Sequence, residues 1–211
     1  LKLGLLLCED IWHAEPALQT KAVGAQLLLV LNASPYHLQK ENTRLAILKK
    51  QTEAINMPIV YLNMVGGQDE LVFDGGSCAL NSKGDLVLSM PQFKAALGMV
   101  SINNGEPQHG EMTAPLTLEA QVYSALVLGT RDYVRKNRFP GAIIGLSGGV
   151  DSALVLAIAV DALGADQVRA VMMPSPYTAE ISWIDARELA SNLGVQYDEI
   201  PISQPVDAIE N

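Results

Sequence analysis

Cysteine is scarce: Cys8 and Cys78 are the only two in 211 residues. Two thiols cannot staple a chain of this length, so a secreted disulfide scaffold is excluded and a reducing, cytoplasmic setting is expected. Basic side chains are also short, 14 Lys and Arg against 23 Asp and Glu, for a formal charge of -9. Such a surface repels phosphate backbones and argues against nucleic acid as a partner, although a local nest of amides can still bind a small anion. No apolar run reaches the roughly 18 residues of a spanning helix, so no membrane partner is expected. The apolar start, residues 3–8, has only Lys2 close before it and Glu9 and Asp10 after it, which is not a signal-peptide layout. His13, His37 and His109 are isolated and lack zinc-ligand spacing. No fixed-period repeat or low-complexity tract occurs. What remains is an ordinary globular composition, 49% hydrophobic and 18% charged with mean hydropathy +0.19, enough for one large or two small domains.

Apolar runs and turn residues predict the elements. Strands are expected at 3–7, 26–31 and 59–64, and helices from Pro16 to about 25 and over 39–55. The glycine-rich stretch 66–77 reads as a long loop, followed by sheet at 78–80, 86–88 and 97–102, with a turn at Ser82-Lys83-Gly84. Residues 103–116 are rich in glycine and proline and read as a linker between domains 1–102 and 117–211. Thr117 is a good N-cap for a helix to about 137. Strands at 142–146, 168–173 and 196–200 then alternate with helices at 152–163 and 179–193, stopped by Gly164 and Gly194. That alternation implies a parallel, doubly wound α/β architecture. The chain opens on Leu1 in mid-strand and closes soon after a strand, so it is expected to be an internal piece of a longer protein.

Between the strand at 142–146 and the following helix stands Gly145-Leu146-Ser147-Gly148-Gly149-Val150-Asp151-Ser152. Two glycines let the backbone approach a ligand closely, and amides at a helix start attract an anion. Ser147 and Ser152 add hydroxyls. Asp151 repels phosphate, so its presence beside a phosphate cradle suggests a bridging Mg²⁺. The Gly-Lys-Ser/Thr ending of a Walker loop is absent, as is the dinucleotide G-x-G-x-x-G. A tight strand-to-helix turn with capping serines is the plainer alternative. The segment resembles the pyrophosphate-binding loop of the ATP pyrophosphatases, which implies ATP binding by residues 145–152 with Asp151 toward the metal. Met173-Pro174-Ser175-Pro176-Tyr177-Thr178 is similar to the ATP-holding loop of NAD synthetases, although Pro176 stands where that family often has a basic residue.

Cys8 ends the first strand, a rigid position at the sheet rim. Taken alone it reads as a buried structural cysteine, since no activating base is visible. Yet Leu7-Cys8-Glu9-Asp10-Ile11-Trp12 resembles the nucleophile segment of nitrilase-type glutaminases. Asn32-Ala33-Ser34-Pro35-Tyr36 resembles their substrate loop, and Lys40 falls at the basic position that binds glutamine together with Ser34. Residues 66–77 are similar to the glutaminase half of NAD synthetases. The resemblance implies a Glu base and a Lys whose motifs should lie upstream of Cys8 and are absent here. Cys78 reads as core packing, and Trp12 and Trp183 as packing residues.

Both sets of motifs in one chain identify it as similar to the glutamine-dependent NAD synthetases. That implies the C-terminal part of a nitrilase-like α/β sandwich followed by the start of a doubly wound, parallel-sheet ATP pyrophosphatase domain. It implies Cys8 as nucleophile, Ser34 and Lys40 as glutamine contacts, ATP and Mg²⁺ as cofactors, deamido-NAD as co-substrate, and a homo-oligomer. The 211 residues by themselves are expected to be inactive or nearly so.

Overall fold

The computed structural model describes residues 1–210, and the chain divides into two compact units, Leu1–Ala125 and Leu126–Asn211. The first unit is built on β1 (Leu3–Leu7), α1 (Ala14–Ala22), β2 (Leu27–Asn32), α2 (Lys40–Ile55) and β3 (Ile59–Asn63). β1, β2 and β3 are parallel neighbours, with Leu7 level with Leu31 and Asn32 level with Asn63. Parallel strands need crossovers, and the two helices supply them. Right-handed crossovers along a stepwise strand order put both helices on one face, where they pack on each other. Gly4 makes that packing close, because a Cβ there would lie 2.2 Å from the Thr20 methyl on α1. The core between the layers includes Leu6, Leu28, Val30, Leu48, Ile55 and Ile59.

The segment read as a long loop instead holds an antiparallel hairpin, β4 (Val65–Gln68) and β5 (Leu71–Asp74). Four-residue strands with two glycines are too short to display alternation. β6 (Cys78–Leu80) and β7 (Leu86–Ser89) then extend the main sheet antiparallel, giving the order β1-β2-β3-β6-β7. The strand expected at 97–102 is not formed. Only β8 (Ile102–Asn103) pairs, with β9 (Glu106–Pro107), and Leu97 is 91% exposed. Residues 110–113 run beside β7, with the Ser89 amide bonded to the Glu111 carbonyl at 3.0 Å and the Thr113 amide to the Ser89 carbonyl at 3.1 Å.

The opposite face of the first sheet is also apolar. Leu3, Leu5, Leu7, Leu31, Leu62 and Met64 are all exposed. The continuous apolar runs read as strands buried on both faces, but among the described residues this side is covered only over β3, β6 and β7, where Val60, Ala79 and Leu88 pack with Val100, and is open at the residues just named.

α3 (Leu118–Lys136) starts on Thr117, whose hydroxyl accepts the Ala120 amide at 3.3 Å. In the second unit β10 (Ala142–Gly145), α4 (Val150–Leu163), β11 (Val168–Met172), α5 (Glu180–Leu193) and β12 (Gln196–Glu199) form a three-stranded parallel sheet in chain order. The stepwise order again places both crossover helices on one face, and Val168, Ala170 and Met172 pack there against Leu156, Ala159, Ala186 and Ala190. This is the pattern of one half of a doubly wound sheet. α6 (Ser203–Glu210), which sequence periodicity did not indicate, closes the described chain.

Candidate functional site

In an open parallel sheet, ligands bind beyond the carboxyl ends of the strands. Three conspicuous residues of the first unit gather at that edge. Cys8 follows the last residue of β1 and opens a short 3-10 turn, Cys8–Trp12. Its φ is +46°, a left-handed conformation that β-carbon sterics disfavour, so the strand end holds the thiol in a strained turn. The turn is tied at both ends. The Asp10 carboxylate accepts the Leu7 amide at 3.0 Å, and the Gln51 side-chain amide of α2 donates to the Ile11 carbonyl at 3.0 Å. Cys8 is partly exposed and carries no disulfide.

Ser34 lies in the loop after β2 and is 6% exposed. Asn63, at the end of β3, accepts the Ser34 amide at 2.9 Å and donates to the Gly75 carbonyl at 3.0 Å. The Tyr36 amide donates to the Val72 carbonyl at 2.7 Å, and the Tyr36 ring meets Phe93 edge-on at 5.2 Å, so the hairpin braces the same loop. Lys40 opens α2, and its ammonium stands 4.3 Å from the centroid of the Trp12 ring. That cation–π contact links the start of α2 to the cysteine turn. Trp12 therefore does more than pack.

Sequence reasoning passed over the most buried charges of this region. Arg44 of α2 is 5% exposed and Asp74 is fully buried. They form a two-pronged pair, Nη1 to Oδ2 at 3.0 Å and Nη2 to Oδ1 at 2.5 Å. The signal was present, since Arg44 continues the buried α2 stripe of Leu48, Gln51 and Ile55 by one turn. Burial and the neighbouring Asp74 push the Glu41 carboxyl up. Cys78 is buried, and that burial pushes its thiol up to about 12. It thus sits among core atoms as expected, and is no rival nucleophile.

Two cavities open on this unit. One of about 370 Å³ lies against Glu41, Arg44, Tyr61, Cys78, Gln92 and Met112. Another, of about 560 Å³, lies on the opposite face of the sheet, between Leu62 and Met64 and the segment from Lys94 to Val100. Neither is lined by Cys8, Ser34 or Lys40.

In the second unit the turn after β10 is cross-linked by its own hydroxyls. The Ser147 and Ser152 oxygens lie 3.0 Å apart, the Ser147 amide donates to Ser152 Oγ at 3.2 Å, and Ser152 Oγ donates to the Gly149 carbonyl at 2.9 Å. Gly148 has φ +79°, and a Cβ there would fall 2.3 Å from the Ser182 carbonyl oxygen on α5. α4 therefore begins at Val150, two residues earlier than its sequence indicated, with Gly149 as N-cap. Its first amides lack intrahelical acceptors and point out with the positive end of the dipole. Leu146 is buried, whereas Gly145, Ser147, Gly149, Val150 and Asp151 are exposed. In the next loop Thr178 Oγ1 accepts the Ser175 amide at 2.9 Å, closing a turn ahead of α5.

Residues 1–124 match the family described as carbon-nitrogen hydrolase, and residues 122–211 match NAD synthase. The glutamine-dependent NAD(+) synthetase of Acinetobacter baylyi is 44% identical over 198 residues, covering 93% of this chain and 37% of that protein. The one from Rhodobacter capsulatus is 42% identical over 212 residues, covering 99% and 38%. The solved glutamine-dependent NAD+ synthetase of Acinetobacter baumannii, in complex with adenosine diphosphate, matches with a TM-score of 0.93 at 43% identity, over 98% of this chain and 40% of that one. The chain belongs to the carbon-nitrogen hydrolase family, and its C-terminal segment matches NAD synthase, the pairing in which it is similar to the glutamine-dependent NAD(+) synthetases. It spans under two-fifths of the length of these two curated relatives.

Proposed function

We propose that the polypeptide carrying this chain makes NAD(+) from deamido-NAD, with ATP as activator and glutamine as nitrogen source. The observation that carries the reading is a strained, partly exposed cysteine at a parallel strand end, followed in the same chain by a serine-glycine turn at a helix start.

At the first site Ser34 and Lys40 bind glutamine and Cys8 attacks the carboxamide carbon. The C–N bond breaks, ammonia leaves with the added proton, and water later cleaves the thioester to glutamate. At the second site the amides and hydroxyls of residues 145–152 hold the ATP phosphates. The deamido-NAD carboxylate attacks the α-phosphorus and pyrophosphate leaves. Ammonia then attacks the activated acyl carbon, and AMP departs with one of the former carboxylate oxygens.

Among the described residues no group of three His, Cys, Asp or Glu could hold a metal by itself. One exposed carboxylate, Asp151, beside the turn's hydroxyls does fit Mg²⁺ held chiefly by phosphate oxygens. The ion, when bound, offsets charge on the leaving pyrophosphate. The reading includes a cytoplasmic homo-oligomer. Among the described residues no helix is long and apolar enough to cross a membrane.

Deamido-NAD labelled with ¹⁸O in its carboxylate tests the chemistry. One labelled oxygen is expected in the AMP released, and unlabelled AMP refutes carboxylate adenylation.

A further inference from the structure

We infer that Arg44, held by Asp74, is a positioning residue for the glutamine site, fixing the Ser34 hydroxyl as a hydrogen-bond donor toward the substrate. The inference rests on the proposed role of Ser34 and Lys40 as glutamine contacts.

A guanidinium buried to 5% exposure must be paired and fully bonded, or its desolvation is not offset. The Asp74 carboxylate takes the fork end on. Asp74 is itself held by the Gln92 side-chain amide at 3.3 Å. The remaining edge of the fork faces the substrate loop. Arg44 Nε donates to Ser34 Oγ at 3.3 Å, and Nη2 donates to the Ser34 carbonyl at 3.4 Å.

A guanidinium only donates, so Ser34 Oγ can only accept in this contact. The hydroxyl's own proton is thereby directed elsewhere, and among the described residues no protein hydrogen bond from Ser34 Oγ takes it up. With the Ser34 amide already held by Asn63, the residue has little freedom left. A hydroxyl fixed in this way suits an anionic or carbonyl oxygen, as on the carboxylate or amide of glutamine.

Charge makes the same point. Paired with Asp74, Arg44 exerts little net field, so it acts on the substrate through Ser34 rather than by attraction. Lys40 lies one helical turn earlier on the same face of α2 and contacts the Trp12 ring, so it keeps the role of substrate cation. One helical turn thus carries both the cation and the brace for the hydroxyl.

The test is steady-state kinetics on the natural, full-length polypeptide. It compares wild type, Arg44→Lys, Ser34→Ala and the double variant, with glutamine or ammonium as nitrogen source. Lysine keeps the charge but loses the planar fork. Arg44→Lys is expected to raise KM for glutamine at least tenfold, with kcat and the ammonium-driven rate within about twofold of wild type. Ser34→Ala should raise KM for glutamine at least as far, and the double variant should have a KM no higher than Ser34→Ala alone, because the brace then has nothing to orient. An unchanged KM, additive effects in the double variant, or glutamine- and ammonium-driven rates falling together each overturn the inference. Wild type failing with glutamine instead overturns the functional reading, and this inference with it.

Discussion

Replacing Gly148 by alanine separates a conformational requirement from a loss of contacts. At φ +79° an L-residue with a Cβ costs roughly 1–2 kcal/mol. The new methyl would also lie 2.3 Å from the Ser182 carbonyl oxygen and 2.6 Å from its Cα. Those atoms belong to the α5 backbone and cannot rotate away, so the helix must shift, adding about 1–3 kcal/mol of overpacking. The sum is about 2–5 kcal/mol. The neighbouring Gly149→Ala is the control. Its added Cβ meets Ser147 Oγ at 3.4 Å, an ordinary contact, and its loss of N-cap preference is worth on the order of 0.5–1 kcal/mol. Trp183 lies on α5, so a Trp12→Phe background makes its fluorescence a sole reporter of the second unit. For a unit of this size the urea slope is about 1 kcal/mol per molar. Gly148→Ala should lower the midpoint by about 2 M or more, and Gly149→Ala by under about 1 M. Equal midpoints, or the reverse order, refute the claim that Gly148 is there for backbone geometry.

Three further outcomes follow from the first unit. Asp74→Ala leaves the Arg44 charge buried without its partner and should destabilise the unit by about 3–5 kcal/mol, measured by urea unfolding with Trp12 as reporter. A loss below about 1 kcal/mol contradicts the buried pair. Leu48→Ala should cost about 2–5 kcal/mol in the same assay, against well under half of that for Leu62→Ala on the open sheet face, where the side chain is 54% exposed. Similar losses at both positions sink this account of the core. Iodoacetamide at pH 8 should alkylate Cys8 well before Cys78 in the native protein. A thiol held near 12 is ionised in only about one molecule in ten thousand at that pH. Peptide mass mapping that finds Cys78 modified as fast as Cys8 contradicts its burial.

Much of this arrangement is legible in the sequence, and the omissions have physical causes. The parallel strands and their crossover helices announce themselves because β-branched and leucine-rich runs alternate with amphipathic stretches. The hairpin from Val65 to Asp74 hides behind Gly66, Gly67 and a two-residue turn at Asp69 and Glu70, where local preference favours a loop and long-range pairing overrides it. The opposite error occurs at 97–102, an apolar stretch of which only Ile102 finds a strand partner. Cys8 follows β1, and Ser34 and Lys40 follow β2, so the parallel topology carries all three to the same edge of the sheet. Arg44 sits on the apolar stripe of α2, yet it and Asp74 are passed over because a charge is read as solvent-facing until its partner, 30 residues away, is known. Their burial is a tertiary fact. The turn at Ser147 was read as a phosphate cradle from residue types, whereas the reason for Gly148, the approach of α5, lies in a segment more than thirty residues further on.

The most direct test of the two-site account is NAD formation by the full-length polypeptide with Cys8→Ala, given deamido-NAD and Mg-ATP, with glutamine and ammonium supplied in turn. The account predicts that ammonium still supports NAD formation while glutamine does not. Undiminished activity with glutamine contradicts Cys8 as the nucleophile, and no NAD from either nitrogen source in the wild-type protein contradicts the proposed reaction itself.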